Sequence, residues 1–130
     1  MMLAPSVAML IRDKAADLGL EPGTVFSYSI KKSVNADKLN KIVILITEID
    51  DSPDVQGSNV TITKMGRIQM QIFYPSQFAN DTSLVRDQLL SLLERNDWYC
   101  YFDGGIERDP ATEQLFSTSH FRKSYERSVE

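Results

Sequence analysis

"GRIQMQIFYPS", residues 66–76, alternates apolar and polar side chains. Ile68, Met70, Ile72 and Tyr74 fall on one side; Gln69, Gln71 and Phe73 fall on the other. Successive side chains of a strand point to opposite faces of a sheet, so a period of two predicts a strand with one buried face. The first set belongs to a core. The second set is two neutral amides and a phenyl ring, whereas a face built only for water more often carries Lys, Glu or Thr. Pro75 cannot donate to a ladder and ends the strand. Upstream, Val60 and Ile62 start the same alternation and Gly66 interrupts it. Residues 60–74 are therefore either a hairpin or one long strand bent at a bulge, and the long bent strand is the preferred reading.

On the N-terminal side, "IVILI" at 42–46 is apolar at every position and predicts a strand covered on both faces. Between it and residue 60, "DDSPDVQGSN" (50–59) is acidic and rich in turn formers, which predicts a flexible loop. Phe26, Tyr28 and Ile30 alternate with serines as a one-sided strand, and "KKSVNADKLNK" is a polar connection. Residues 5–18 carry Val7, Leu10, Ile11, Ala15 and Leu18 at helical spacing, with Pro5 in the first turn and Gly19 as the residue that closes it.

On the C-terminal side, "NDT" at 80–82 supplies N-cap residues for a second helix over 83–95. Its buried stripe is Val85, Leu89, Leu92 and Leu93, with Leu84 beside it. "WYCYF" (98–102) predicts an aromatic strand. "DGG" at 103–105 reads as a hairpin turn, "DPAT" at 109–112 as a second turn, and 114–122 as a final strand. The tail over 124–130 is polar. The element order is α-β-β-β-α-β-β, and strands mostly follow strands. The expected fold is α+β: one domain over 1–130, with a mainly antiparallel sheet and two packed helices.

Composition narrows the function classes. The 130 residues are 42% hydrophobic and 25% charged, with a net charge of −4 and a pI near 5.0. That balance disfavours a free-standing nucleic-acid binder, which normally presents a basic patch. The group Lys31, Lys32, Lys38 and Lys41 is small and reads as a solvated face. The single cysteine, Cys100, allows no intrachain disulfide, and a reducing cytoplasm is the default expectation. Neither a signal peptide nor a membrane span is expected from the N-terminal stretch, because Arg12, Asp13 and Lys14 interrupt it.

Catalytic patterns are weak. His120, the one histidine, sits on an alternating strand, where Ser119 points to the opposite face and cannot form a relay with it. Cys100 lies among aromatics with no base in view. One Cys and one His do not make a four-ligand zinc site without carboxylates. A calcium loop starting at Asp50 would need Gly at position 55 and an acid at 61, where Val55 and Thr61 stand. "DGGIERDP" lacks the phosphate-cradle pattern and the helix that should follow. The expectation is a protein that is not an enzyme, uses no cofactor or metal, and works by being bound. "WYCYF" fits, because it is apolar on both faces and only one face can meet the core.

The chain resembles, over roughly residues 3–125, the small tail-terminator (tail-completion) proteins of long non-contractile-tailed phages and prophages of Gram-positive bacteria. The segment "RIQMQIFYPSQFANDTSLVRDQLLSLLERNDWYCYF" and the terminal strand "TEQLFSTSHFRKSY" carry the resemblance, together with the N-terminal amphipathic helix and the element order. It implies a homohexameric ring on the tail tube that stops polymerisation of the major tail protein and offers a surface to a head-completion or neck protein. DNA would pass through the channel without specific binding. The location implied is the virion tail or neck, after assembly in the host cytoplasm. No membrane is implied. Another neck or tail adaptor, such as a head-completion stopper, is the alternative, and a small enzyme or binding module a more distant one. Asp50, Asp51 and Asp54 are then candidates for a channel or tube face. Arg67, Gln69, Gln71, Tyr99 and Tyr101 are candidates for contacts between subunits.

Overall fold

The computed structural model describes residues 3–20, 22–29, 41–57, 60–75, 82–110 and 114–126. The elements are α1 (Leu3–Asp13), a 3-10 turn (Pro22–Thr24), β1 (Val25–Ser27), β2 (Val43–Gly57), β3 (Val60–Phe73), α2 (Thr82–Arg95), β4 (Tyr99–Arg108) and β5 (Leu115–Glu126). Five strands form one sheet in the order β1-β2-β3-β5-β4. The β1–β2 pair is parallel and every other pair antiparallel, as the α+β expectation requires.

Both helices pack on one face of the sheet. α1 contributes Leu3, Val7 and Ile11; α2 contributes Val85, Leu89, Leu92 and Leu93. Against them lie Ile44 and Ile46 of β2, Ile68, Met70 and Ile72 of β3, and Phe121 of β5. The apolar half of "GRIQMQIFYPS" thus forms the centre of the core, and Tyr74 is fully buried. Burial raises the pKa of its hydroxyl. Leu84, the neighbour of the α2 stripe, stays exposed.

α1 stops at Asp13, short of the expected end at Leu18, and residues 14–19 continue as turns; that run of turns and α2 close in the same way. Leu20 N–H bonds to Ala15 C=O (2.8 Å) and Gly19 N–H to Ala16 C=O (3.2 Å), with Gly19 at φ +70°. Trp98 N–H bonds to Leu93 C=O (2.9 Å) and Asp97 N–H to Glu94 C=O (3.0 Å), with Asp97 at φ +68°. These are Schellman closures, in which a left-handed residue satisfies the last carbonyls and the next residue packs back on the helix. Leu20 and Trp98 are both buried in that role. The chain places glycine at the first closure and an aspartate at the second.

Residues 50–57, read from sequence as loop, are the outer half of β2, paired with β3 from Asp50↔Arg67 to Gly57↔Val60. Turn-forming residues yield here because a fifteen-residue strand opposite a fourteen-residue one satisfies their backbone groups. The irregularities lie at Glu48/Asp50 and Pro53/Val55 of β2 and close to Val55/Gln56, so Gly66 is not the bulge. Instead, a Cβ at Gly66 would stand 2.8 Å from Leu3 Cδ1: the glycine lets α1 approach the sheet.

"DGG" does not turn the chain either. β4 continues through it to Arg108, and the reversal closes later, with Asp109 N–H bonding to Gln114 C=O at 2.9 Å. Gly104 and Gly105 form a bulge between Asp103 and Ile106. Gly105 has φ +71°, and a Cβ at Gly104 would press the Thr118 carbonyl at 3.1 Å. β5 runs on to Glu126, opposite Thr63, so the first residues of the polar tail are strand.

Candidate functional site

The sheet has two different outer edges. One is β4. The other is β1, only three residues long, continued by β2; beyond Ile46 the described residues pair β2 with β3 alone. Exposed large apolar side chains gather at these edges: Tyr99, Tyr101 and Phe102 on β4, Tyr28 and Ile49 beside β1 and on β2.

A register slip builds the β4 patch. Cys100 pairs with Phe121 on the core side, but the slip at Tyr101 pairs Phe102 with His120 on the other side. Phe102 therefore leaves the face that simple alternation gives it and joins Tyr99 and Tyr101. His120 lies 4.8 Å from the Phe102 ring and 5.9 Å from the Tyr101 ring, centroid to centroid. Its Nε2 is 3.0 Å from Gln69 Oε1, which orients the imidazole edge. The same face continues inward through Gln71 and Thr118 to the ring pair Phe73–Phe116, 6.3 Å apart. Gln69 and Gln71 are half-buried, neither in the core nor fully in water.

Cys100 stays half-buried beneath this patch. Burial pushes its thiol pKa up, and the sulfur lies 3.3 Å from the Phe102 carbonyl, its hydrogen-bond acceptor. A thiol held protonated is a poor nucleophile.

The acidic residues are engaged inside the chain. Asp50 Oδ1 accepts from Arg67 at 2.9 Å, and the same guanidinium reaches Ser52 at 3.4 Å. Asp51 Oδ2 accepts from Lys64 (3.2 Å) and from the Tyr125 hydroxyl (2.5 Å). Burial first, then Asp51, pushes the Tyr125 pKa up to about 12. The Asp54 side chain lies outside the described ones, as do Lys31, Lys32 and Lys38. Arg67 is thus spent first on its own hairpin.

Glu48 has a role its sequence position does not announce. Its Oε1 accepts from Leu3 N–H (2.8 Å), Ala4 N–H (3.2 Å) and Tyr28 O–H (3.0 Å). α1 has no acid in its own first turn, so β2 supplies the anion that its N-terminus favours. At the other end of the helix, Arg12 donates to the Val25 carbonyl (3.1 and 2.6 Å) and ties α1 to β1. On the helix face of the sheet, Arg86 of α2 makes a two-oxygen ion pair with Asp103 at the β4 bulge.

A groove of about 630 Å³ separates the turns after α1 from α2, with Leu18 and Leu92 in it and Lys14, Asp17, Asp87 and Arg95 around it. Among the described residues its lining holds no nucleophile paired with a base. Among the described residues no cluster of three or more His, Cys, Asp or Glu could hold a metal ion, and no helix is long and apolar enough to cross a membrane.

The family described as "Protein of unknown function (DUF806)" matches residues 11–126. The chain belongs to this family. The match begins inside α1 and ends on the last residue of β5, so this DUF806 chain carries the whole described sheet and α2 within it. A search among curated proteins finds no match.

Proposed function

We propose that this chain is a structural protein of a phage tail: a terminator that forms a ring on the finished tube, stops polymerisation of the major tail protein and offers a surface to the head-completion protein. The observation that supports an assembly role is the β4 edge, where Tyr99, Tyr101 and Phe102 stand exposed together. Large aromatics so placed are the residues that carry binding energy when a partner covers them. The terminator reading itself rests on the resemblance of the run from Arg67 through α2 to Phe102 and of the terminal strand. The role needs binding surfaces and no turnover, cofactor or metal. Six copies would enclose the channel through which DNA passes, in the neck of the virion.

Electron microscopy of particles made without this gene tests the proposal. Overlong tails without heads are expected. Tails of normal length joined to heads would refute it.

A further inference from the structure

We propose that the two edges of the sheet are the two halves of a head-to-tail contact between copies of this chain. The β4 edge of one copy, with Tyr99, Tyr101, Phe102 and Arg122, meets the β1–β2 edge of the next, with Tyr28, Ile49 and the carboxylate of Asp50. This rests on the ring reading and names its interface.

Three observations carry it. First, five of the seven exposed large apolar side chains of the described residues lie at these two edges, and the edges differ. A ring needs two different patches on each subunit, whereas a two-fold dimer uses one patch twice. Second, the charges match. Arg122 is exposed, sits between Tyr99 of β4 and Arg67 of β3, and makes no ion pair among the described residues. Arg67 already holds Asp50, so the second arginine of this like-charged cross-strand pair is left over. On the opposite edge Asp50, on the same sheet face as Arg67 and Arg122, uses one oxygen within the chain, Oδ1, leaving the other to accept. Third, the area suits a contact that closes cooperatively. Tyr99, Tyr101 and Phe102 are 53%, 42% and 47% exposed, and Tyr28 and Ile49 are 47% and 43% exposed. At roughly 200 Å² per aromatic side chain, the β4 patch offers about 300 Å² of ring surface. A stable interface buries about 800 Å² per partner, so one such contact holds two free copies weakly. In a closed ring every subunit makes two contacts, and the last forms at high effective concentration.

The contact is made by side chains rather than by a continued ladder. β4 is bulged at Tyr101 and at Gly104–Gly105, and the opposite edge at Ile49 and Asp54, which interrupts edge-to-edge pairing.

Cross-linking tests this in the full chain with Cys100→Ser as background. Tyr101→Cys and Ile49→Cys are both at exposed positions, and circular dichroism checks that each variant folds. When the two purified variants are concentrated together and oxidised, a disulfide-linked dimer is expected that neither gives alone. A chain carrying both substitutions is expected to give a ladder ending at the ring size. Adding Arg122→Glu is expected to lower the yield about tenfold at low salt, through the like-charge contact it creates with Asp50. Cross-linking of Tyr101→Cys with itself would show a two-fold contact and overturn the proposal, as would no mixed product at any concentration. Overlong tails in the gene-deleted particles together with no mixed product would leave the ring and remove this interface. A mixed product together with normal tails would do the reverse.

Discussion

Replacing Glu48 by alanine is expected to loosen α1 from the sheet. The carboxylate takes two backbone N–H groups of the first helical turn, at 2.8 and 3.2 Å, from residues that are themselves buried. Loss of an N-terminal cap costs about 1 kcal/mol and up to about 2. Loss of the negative charge at the helix N-terminus adds about 0.3–1 kcal/mol. The Tyr28 hydroxyl lies in solvent and adds little. The expected destabilisation of Glu48→Ala is therefore about 2 kcal/mol, or roughly 6–10 °C in Tm for a domain of this size. Glu48→Gln keeps the accepting oxygen and loses only the charge, so it should cost about 0.5–1 kcal/mol. Asp50→Ala, which breaks an exposed ion pair with Arg67, should cost less than about 1 kcal/mol. Urea unfolding followed by circular dichroism orders the three variants, and hydrogen exchange at the Leu3 and Ala4 amides reports whether the loss is local. If Glu48→Ala were no worse than Asp50→Ala, or no worse than Glu48→Gln, the cap would not be what holds α1 in place.

Asp97→Gly should raise stability by about 0.5–1 kcal/mol, because φ +68° costs a residue with a Cβ and glycine removes that cost; an unchanged urea midpoint would contradict this. Gly66→Ala should destabilise by about 1–2 kcal/mol through the clash with Leu3, and by clearly less in a Leu3→Ala background; additivity of the two changes would show that they do not touch. Tyr125 should titrate above the usual tyrosine value, near 12. Its pKa when folded lies above the usual value of 10, so its contribution to stability is complete below about pH 10 and is lost as pH rises through about 12. Tyr125→Phe should remove the limb near pH 12 from the tyrosinate absorbance titration, and an unchanged limb there would refute the assignment.

The core and the second helix are legible in the sequence because the period is clear there, whereas α1 stops at Asp13, before the expected end at Leu18. Val85, Leu89, Leu92 and Leu93 repeat at helical spacing and are all buried, and Ile68, Met70 and Ile72 alternate and are all buried. What failed was the reading of turn formers. Asp50–Gly57 and Asp103–Gly105 carry turn chemistry, yet each lies within a strand whose partner supplies its hydrogen bonds. Two glycines after an aspartate can turn a chain or bulge it, and only the partner strand decides. That choice changed the site: the Tyr101 slip puts Phe102 beside His120 on the outer face, whereas strict alternation would place it with Trp98 and Cys100. The Glu48 cap spans 45 residues of sequence and leaves no local pattern. A helix without an acid in its first turn was the available signal. Gln69 and Gln71 were rightly separated from the core set, and Gln69 has a partner in His120 within the same chain.

A ring that stops polymerisation, the role proposed for this chain, must not itself polymerise, and the two sheet edges bear on this. A flat, regular outer strand is a template on which further strands add without limit. Here β4 changes register at Tyr101 and again at Gly104–Gly105, and β2 is irregular at Ile49 and Asp54, so neither edge offers a long uninterrupted row of free backbone groups. The side chains left exposed at the same bulges, Tyr101, Phe102 and Ile49, replace that row with a patch of fixed size and shape. Head-to-tail contacts through such patches close when the rotation between copies divides the circle and extend as filaments when it does not. In the proposed ring, the bulges would therefore do two things at once. They remove the generic contact that favours filaments and present the specific one whose angle sets the number of copies. Flattening β4 by deleting one glycine of the Gly104–Gly105 pair should shift the protein from discrete rings towards fibres in negative-stain micrographs. Rings unchanged in size and number after that deletion would show that the bulge has no part in closure.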